Sequence, residues 1–267
     1  MIGGPHDGVT YPSTFEPIPA PRRLSTMTTP PAAVLRDMDQ TDDSGPHTHE
    51  VAAVLWDMDG TLVDTERYWM DAESELVTRC GGSWNHEDAL TLIGAGLSYA
   101  ATLFQSRGVS LSTEQIVTEL SSRVEERLRT EGPPWRPGAL ELLHELSEAS
   151  VPTALVTMSL RSTTNAVMAA IPFPAFTVSV TGDEVTRPKP DPEPYLHAAR
   201  LLGVDIRRCV AIEDSPTGLA AAAASGAVAI GVPNYVPLDS DVATVLLPTL
   251  AHVHLSDLSA LVADQRR

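Results

Sequence analysis

The sequence predicts an α/β protein: a doubly wound, Rossmann-like parallel sheet with an all-helical segment inserted behind its first strand. Three observations predict it. From Val51 onward, short apolar runs alternate with stretches of helical length, the pattern of strands joined by helical crossovers. Residues 66–131 break that alternation, offering apolar positions at helical spacing, such as Ile116/Leu120/Val124, and no convincing strand. The first apolar run also ends in a cluster of carboxylates, at the strand end where open parallel sheets bind ligands.

In chain order, residues 1–49 come first and differ from the rest. Eight of the 22 prolines fall there, among Ser, Thr, Gly and Asp, with no sustained apolar period to offset the entropy of ordering. The expectation is a disordered extension. A secretory signal needs a basic start and an apolar core of ~7–15 residues, and residues 1–20 contain neither. Residues 32–41 nearly repeat 52–61, but Gln40 stands where the turn needs Gly, and no helix fits before Val51. A second site there is therefore rejected.

Strands are expected at 52–56, 153–157, 176–180, 209–212, 228–232 and 244–247, with helices around 161–171, 192–202 and 216–224. The helical segment ends at 132–138, where Gly132-Pro133-Pro134-Trp135-Arg136-Pro137-Gly138 reads as a stiff linker. The resulting division is an extension (1–49), a core domain (50–65 with 138–267) and a helical cap domain (66–137).

Net charge narrows the partners. The 267 residues carry 18 Lys+Arg against 35 Asp+Glu, a formal −17, and such a polyanion repels nucleic acid and anionic lipid. No apolar run approaches the ~20 residues of a membrane span. Two cysteines, Cys80 and Cys209, cannot frame a disulfide scaffold and suit a reducing compartment. A cytoplasmic monomer acting on a small metabolite, with neither nucleic acid nor membrane as partner, is expected.

The chemistry concentrates after residue 56. Asp57 and Asp59 stand two residues apart where the chain turns at Gly60, so both can face one site. One carboxylate suits attack on phosphorus and the other proton transfer. Two carboxylates at close range raise one another's pKa unless a cation intervenes, so the pair asks for Mg²⁺.

The run Asp57-Met58-Asp59-Gly60-Thr61-Leu62-Val63-Asp64-Thr65-Glu66 resembles the first motif of the haloacid dehalogenase superfamily of phosphotransferases, in its branch with a helical cap after that motif. The resemblance extends from Val51 to about Val262. It implies that Thr157, ending the next core strand, binds phosphate, although Met158 stands where many relatives have Asn or Gly. It implies the same for Lys189, the only lysine in the chain. At that position a flexible point charge can touch a carboxylate and a phosphoryl oxygen together, which a planar guanidinium does less well. The fourth motif, Glu213-Asp214-Ser215-Pro216, implies Asp214 as a Mg²⁺ ligand beside Asp57 and the backbone carbonyl of Asp59. Glu213 is then expected behind them, orienting ligands or Lys189.

The implied reaction is hydrolysis of a phosphomonoester: Asp57 attacks, and Asp59 protonates the leaving oxygen. β-Phosphoglucomutases of this branch place a His and an Arg in stretches that correspond to 68–70 and 94–98, where this chain has neither. The Trp69 pattern is similar to hexitol-phosphate and 2-deoxyglucose-6-phosphate phosphatases of the branch. A small sugar or polyol phosphate is therefore expected as substrate, with a mutase as the second reading and a phosphometabolite-binding module as the non-enzymatic one.

Overall fold

The computed structural model describes residues 50–265, so the extension expected over 1–49 lies outside the described residues. Six parallel strands form one sheet: β1 (Ala53–Trp56), β2 (Thr153–Val156), β3 (Val178–Val180), β4 (Cys209–Glu213), β5 (Val228–Gly231) and β6 (Val245–Leu246). Their spatial order is β3-β2-β1-β4-β5-β6, so the winding direction reverses between β1 and β4. That reversal opens the crevice where ligands bind in doubly wound sheets.

Strand alternation sorts the core onto two faces. Val54, Trp56, Val210, Ile212, Val228 and Ile230 belong to one apolar cluster. Ala53, Leu55, Cys209, Ala211 and Ala229 belong to the other. Both faces are covered, which is why these strands read as continuous apolar runs and not as alternating ones. The second face receives α7 (Glu193–Leu202) and α8 (Pro216–Ser225) through Tyr195, Ala198, Ala221 and Ala222. The first receives α5 (Ala139–Glu148) and α9 (Leu255–Gln265). These last two helices were not expected from the sequence, although Leu142, Leu143 and Leu146 already trace a buried stripe. The strand expected at 176–180 begins only at Val178, and the helix expected over 161–171 is α6 (Arg161–Ala169).

Between β1 and α5 the chain forms four helices: α1 (Glu66–Arg79), α2 (His86–Leu90), α3 (Leu97–Ser106) and α4 (Thr113–Glu131). Helix α4 starts at a reciprocal cap, in which Ser112 accepts from the Gln115 amide and the Gln115 side chain accepts from the Ser112 amide. It buries Ile116, Leu120, Val124 and Leu128 along one stripe and stops at Gly132. Helix α1 carries Glu66 in its first turn and Arg79 in its last, the charge order that the helix dipole favours. The two segments joining this helical insert to the sheet run side by side. The Asp64 amide donates to Pro134 O (2.8 Å) and the Arg136 amide to Leu62 O (3.0 Å). The chain therefore enters and leaves the insert at one place, directly above β1.

Candidate active site

Register brings the sequence motifs together. Trp56 lies opposite Ile212, and the Asp57 amide donates to Ile212 O at 3.0 Å, so Asp57 emerges beside Glu213 and Asp214. Lys189 reaches in from the loop before α7. Its ammonium donates to Asp57 Oδ1 (2.7 Å), Glu213 Oε1 (2.7 Å) and Val156 O (2.9 Å), which uses all three of its protons. The Lys189 amide also donates to Met158 Sδ at 3.4 Å, so the residue that departs from the family pattern helps to seat the lysine loop.

Asp59 is held from both sides. Thr157 Oγ1 (3.3 Å) and Ser159 Oγ (2.7 Å), beyond β2, donate to its Oδ2. Trp69 Nε1 (2.9 Å) and Thr65 Oγ1 donate to its Oδ1. Thr65 precedes α1 yet makes no capping bond, because its hydroxyl is committed to Asp59. Thr157, expected to bind phosphate, lines the cavity while its hydroxyl serves Asp59 and accepts from the Ser159 amide.

Burial sets the electrostatics. It pushes the Asp57 carboxyl up to about 7, with Glu213 adding to the effect and Lys189 opposing it. Burial also raises Asp214 well above the usual carboxylate range, helped by Asp57 and Glu66. For Lys189 burial alone would favour the neutral amine, but Asp57 and Glu213 outweigh it and hold the ammonium above its usual value. An ion pair this buried contributes little net stability while intact and costs much when one partner is removed.

The acidic cluster suits a hard divalent cation. Oxygens of Asp57, Glu213 and Asp214 all lie within 4.8 Å of one another. Glu213 is already occupied, because its carboxylate accepts from Lys189, from Tyr195 Oη and from Ser215 Oγ. Asp214 is not: its Oδ2 is buried without a hydrogen-bond partner. Such an orphaned oxygen is costly unless something is bound there, and all-oxygen donors match Mg²⁺. Gly60 keeps that space open. With φ +86° and a Cβ that would fall 2.0 Å from Asp214 Oδ2, no other residue fits.

Several residues of the site were missed by sequence reasoning: Ser159, Thr65, Tyr195 and, on α1, Glu66 and Glu73. Glu66, Trp69 and Glu73 lie on one face of α1 and line a cavity of about 70 Å³ over Asp57. Their i, i+3, i+7 spacing was visible, but nothing in the sequence says that this stripe faces a site and not a core. Glu73 accepts a hydrogen bond from Trp84 Nε1 (3.2 Å), and burial pushes its carboxyl up to about 8.

Between the ordinary glutamate value of 4.5 and 8 the native protein keeps a proton on Glu73 that the unfolded chain has lost. Stability therefore falls as pH rises through that window. Gln at 73 retains the acceptor for Trp84 without this penalty, so Glu73→Gln is expected to raise Tm at pH 8 by about 5 °C. The gain should shrink toward pH 5 in thermal denaturation. A gain independent of pH would refute the cause given.

Comparison with known proteins agrees with this geometry. A family model described as haloacid dehalogenase-like hydrolase matches residues 51–226. Hexitol phosphatase A of Escherichia coli is 35% identical over 200 residues, covering 72% of this chain and 88% of that protein. Mitochondrial (DL)-glycerol-3-phosphatase 1 of Arabidopsis thaliana is 31% identical, covering 81% and 75%. Among solved structures, CbbY from Rhodobacter sphaeroides in complex with xylulose 1,5-bisphosphate superposes with a TM-score of 0.72 at 28% identity, covering 78% of this chain and 99% of that one.

Proposed function

The chain belongs to the haloacid dehalogenase-like hydrolases, and on that premise we propose that it is a Mg²⁺-dependent phosphatase of small sugar or polyol phosphomonoesters. The observation that carries this reading is the grip on Asp57. Lys189 holds Oδ1, leaving Oδ2 without a hydrogen-bond partner among the described residues, in a side chain that lines the cavity.

Asp57 Oδ2 attacks phosphorus and the ester P–O bond breaks, giving an aspartyl-phosphate. Asp59, aligned by Trp69 and Ser159, gives its proton to the departing alkoxide and then takes one from the water that attacks phosphorus. The P–O bond to Asp57 breaks in that second step, and inorganic phosphate leaves with the carboxylate restored. The charge of Lys189 stabilises the phosphoryl oxygens, and Thr157 would join it by turning its hydroxyl from Asp59. Asp57, Asp214 and the Asp59 main-chain carbonyl would hold Mg²⁺, whose charge offsets that of the transferring phosphoryl group. Residues 66–137 act as a cap over a core of 50–65 and 138–267. Closure of the cap over a bound substrate would exclude bulk water from the site.

Hydrolysis is favoured over mutation of the phosphate position. A mutase needs a cation for the second phosphate of a bisphosphate intermediate. Arg67 instead pairs with Glu131 and Arg107 with Asp88, and neither lines the cavity. Purified protein with Mg²⁺ is expected to release phosphate from hexose, deoxyhexose or polyol monophosphates, read by a colorimetric phosphate assay. Efficient conversion of β-glucose 1-phosphate into glucose 6-phosphate with a bisphosphate primer, without phosphate release, would overturn the phosphatase reading.

A further inference from the structure

The cavity wall beyond Asp57 is acidic, and among the described residues no cation pairs with it. Glu66 and Glu73 are each 7% exposed and both line the cavity. Seven residues separate them, about 10 Å along one helix face, so Glu73 marks the end of the wall remote from the nucleophile. The Glu66 carboxylate has no hydrogen-bond or ion-pair partner among the described residues, and Glu73 has only the Trp84 indole. Lys189 is the single cation of the lining, and all its protons are spent on Asp57, Glu213 and Val156. Arg107, beside Trp84, is likewise committed: it stacks 5.6 Å over Trp84 and pairs with Asp88 at 3.0 Å.

Packing does not account for Glu73. Its cavity neighbours Met70, Leu92, Leu97 and Ala100 are apolar, and a leucine there would avoid the cost of burying a carboxyl with a single donor. Burial keeps a proton on Glu73 up to about pH 8, and a cation brought by the substrate would take that proton's place, the proton leaving to solvent.

We propose that Glu73, with Glu66, selects phosphomonoesters whose alcohol part carries a protonated amine and rejects those carrying a second anionic group. The substrate class is then an aminated sugar, polyol or cyclitol monophosphate. An ammonium between two buried carboxylates gains charge-assisted hydrogen bonds that a hydroxyl in the same place makes more weakly. A carboxylate or second phosphate there would be a buried anion beside two acids, with no cation of the lining free to pair with it. Glu73 is a specificity-determining residue in this scheme and takes no part in bond making.

The inference rests on the phosphatase reading, and the test separates the two. Phosphate release is followed from glucosamine 6-phosphate, glucose 6-phosphate, 6-phosphogluconate and p-nitrophenyl phosphate, at one pH and with Mg²⁺. Glucosamine 6-phosphate and glucose 6-phosphate differ only at the amine. The natural chain is expected to prefer the amine in kcat/KM by about tenfold or more and to turn over 6-phosphogluconate least. Glu73→Gln is expected to bring the amine-to-hydroxyl ratio near one, a change that a purely structural role would not produce because both substrates meet the same protein. If the variant does not fold, the order of preference in the natural chain decides. Release from p-nitrophenyl phosphate with equal kcat/KM for amine and hydroxyl overturns this inference alone, as does an unchanged ratio in Glu73→Gln. No release from any of the four overturns the phosphatase reading and this inference with it.

Discussion

Asp57→Asn is expected to lower kcat by about four orders of magnitude or more, the scale seen when a nucleophile is removed from a preorganised site. The amide has nearly the shape of the carboxylate, and its oxygen can still accept from Lys189, now at 2.7 Å from Asp57 Oδ1. What disappears is an anionic oxygen able to attack phosphorus. The fold should survive, because the substitution removes one of several carboxylates crowded into one buried cluster. Circular dichroism and the phosphate assay together decide it. Near-normal turnover with a native spectrum would remove Asp57 from the mechanism. Asp37→Asn, in the near-repeat of the extension, serves as the control and should change nothing.

Lys189→Met should cost both activity and stability. Among the described residues the ammonium is the only cation paired with Asp57 and Glu213, and each of these lies 2.7 Å from it. Removing one partner from a buried ion network costs on the order of 3–5 kcal/mol, which for a domain of this size corresponds to a Tm lower by about 10 °C. The sign of the pH dependence follows. Without the lysine, burial and the neighbouring Glu213 charge raise the Asp57 carboxyl further, so the native state holds a proton that the unfolded chain releases. The deficit should therefore be largest at pH 8 and should narrow on acidification toward pH 5. Activity should fall at least about a thousandfold, through loss of phosphoryl charge stabilisation and a larger protonated fraction of Asp57. A Tm deficit that grows on acidification would contradict this account. Lys189→Arg is not expected to rescue, because a planar fork cannot direct three protons to Asp57, Glu213 and Val156 O at once.

The strand ends were legible because their signals are local. A buried parallel strand is a run of four or five apolar residues, and the residue that follows it falls at the ligand-binding edge whatever the rest of the chain does. Asp57 was read that way, while the resemblance to the family implied Thr157, Lys189 and the Glu213-Asp214 pair, Lys189 being also the only lysine in the chain. The shortened β3 and the unexpected α5 and α9 show where local signals fail. Residues 176 and 177 carry strand propensity, but pairing with β2 begins only at Val178. Helix α5 has an apolar stripe no weaker than those that were recognised, whereas that of α9 is weaker than those of α6 and α7.

By itself the sequence determined the fold class, the order of the motifs and the chemical type of the motif residues, since periodicity, turn-forming glycines and side-chain identity are carried by neighbouring residues. Only the tertiary structure decided who touches whom. Lys189 meets Asp57 across 132 residues and Ser159 meets Asp59 across 100. The commitment of Glu213 to Lys189 and Tyr195, which leaves Asp214 Oδ2 as the open oxygen, exists only once β1 and β4 lie side by side. The same holds for Glu73. On a helical wheel it is an ordinary charged residue, and it becomes a buried acid facing a cavity because α1 turns that face toward the sheet, where desolvation, a property of surroundings and not of sequence, sets its charge.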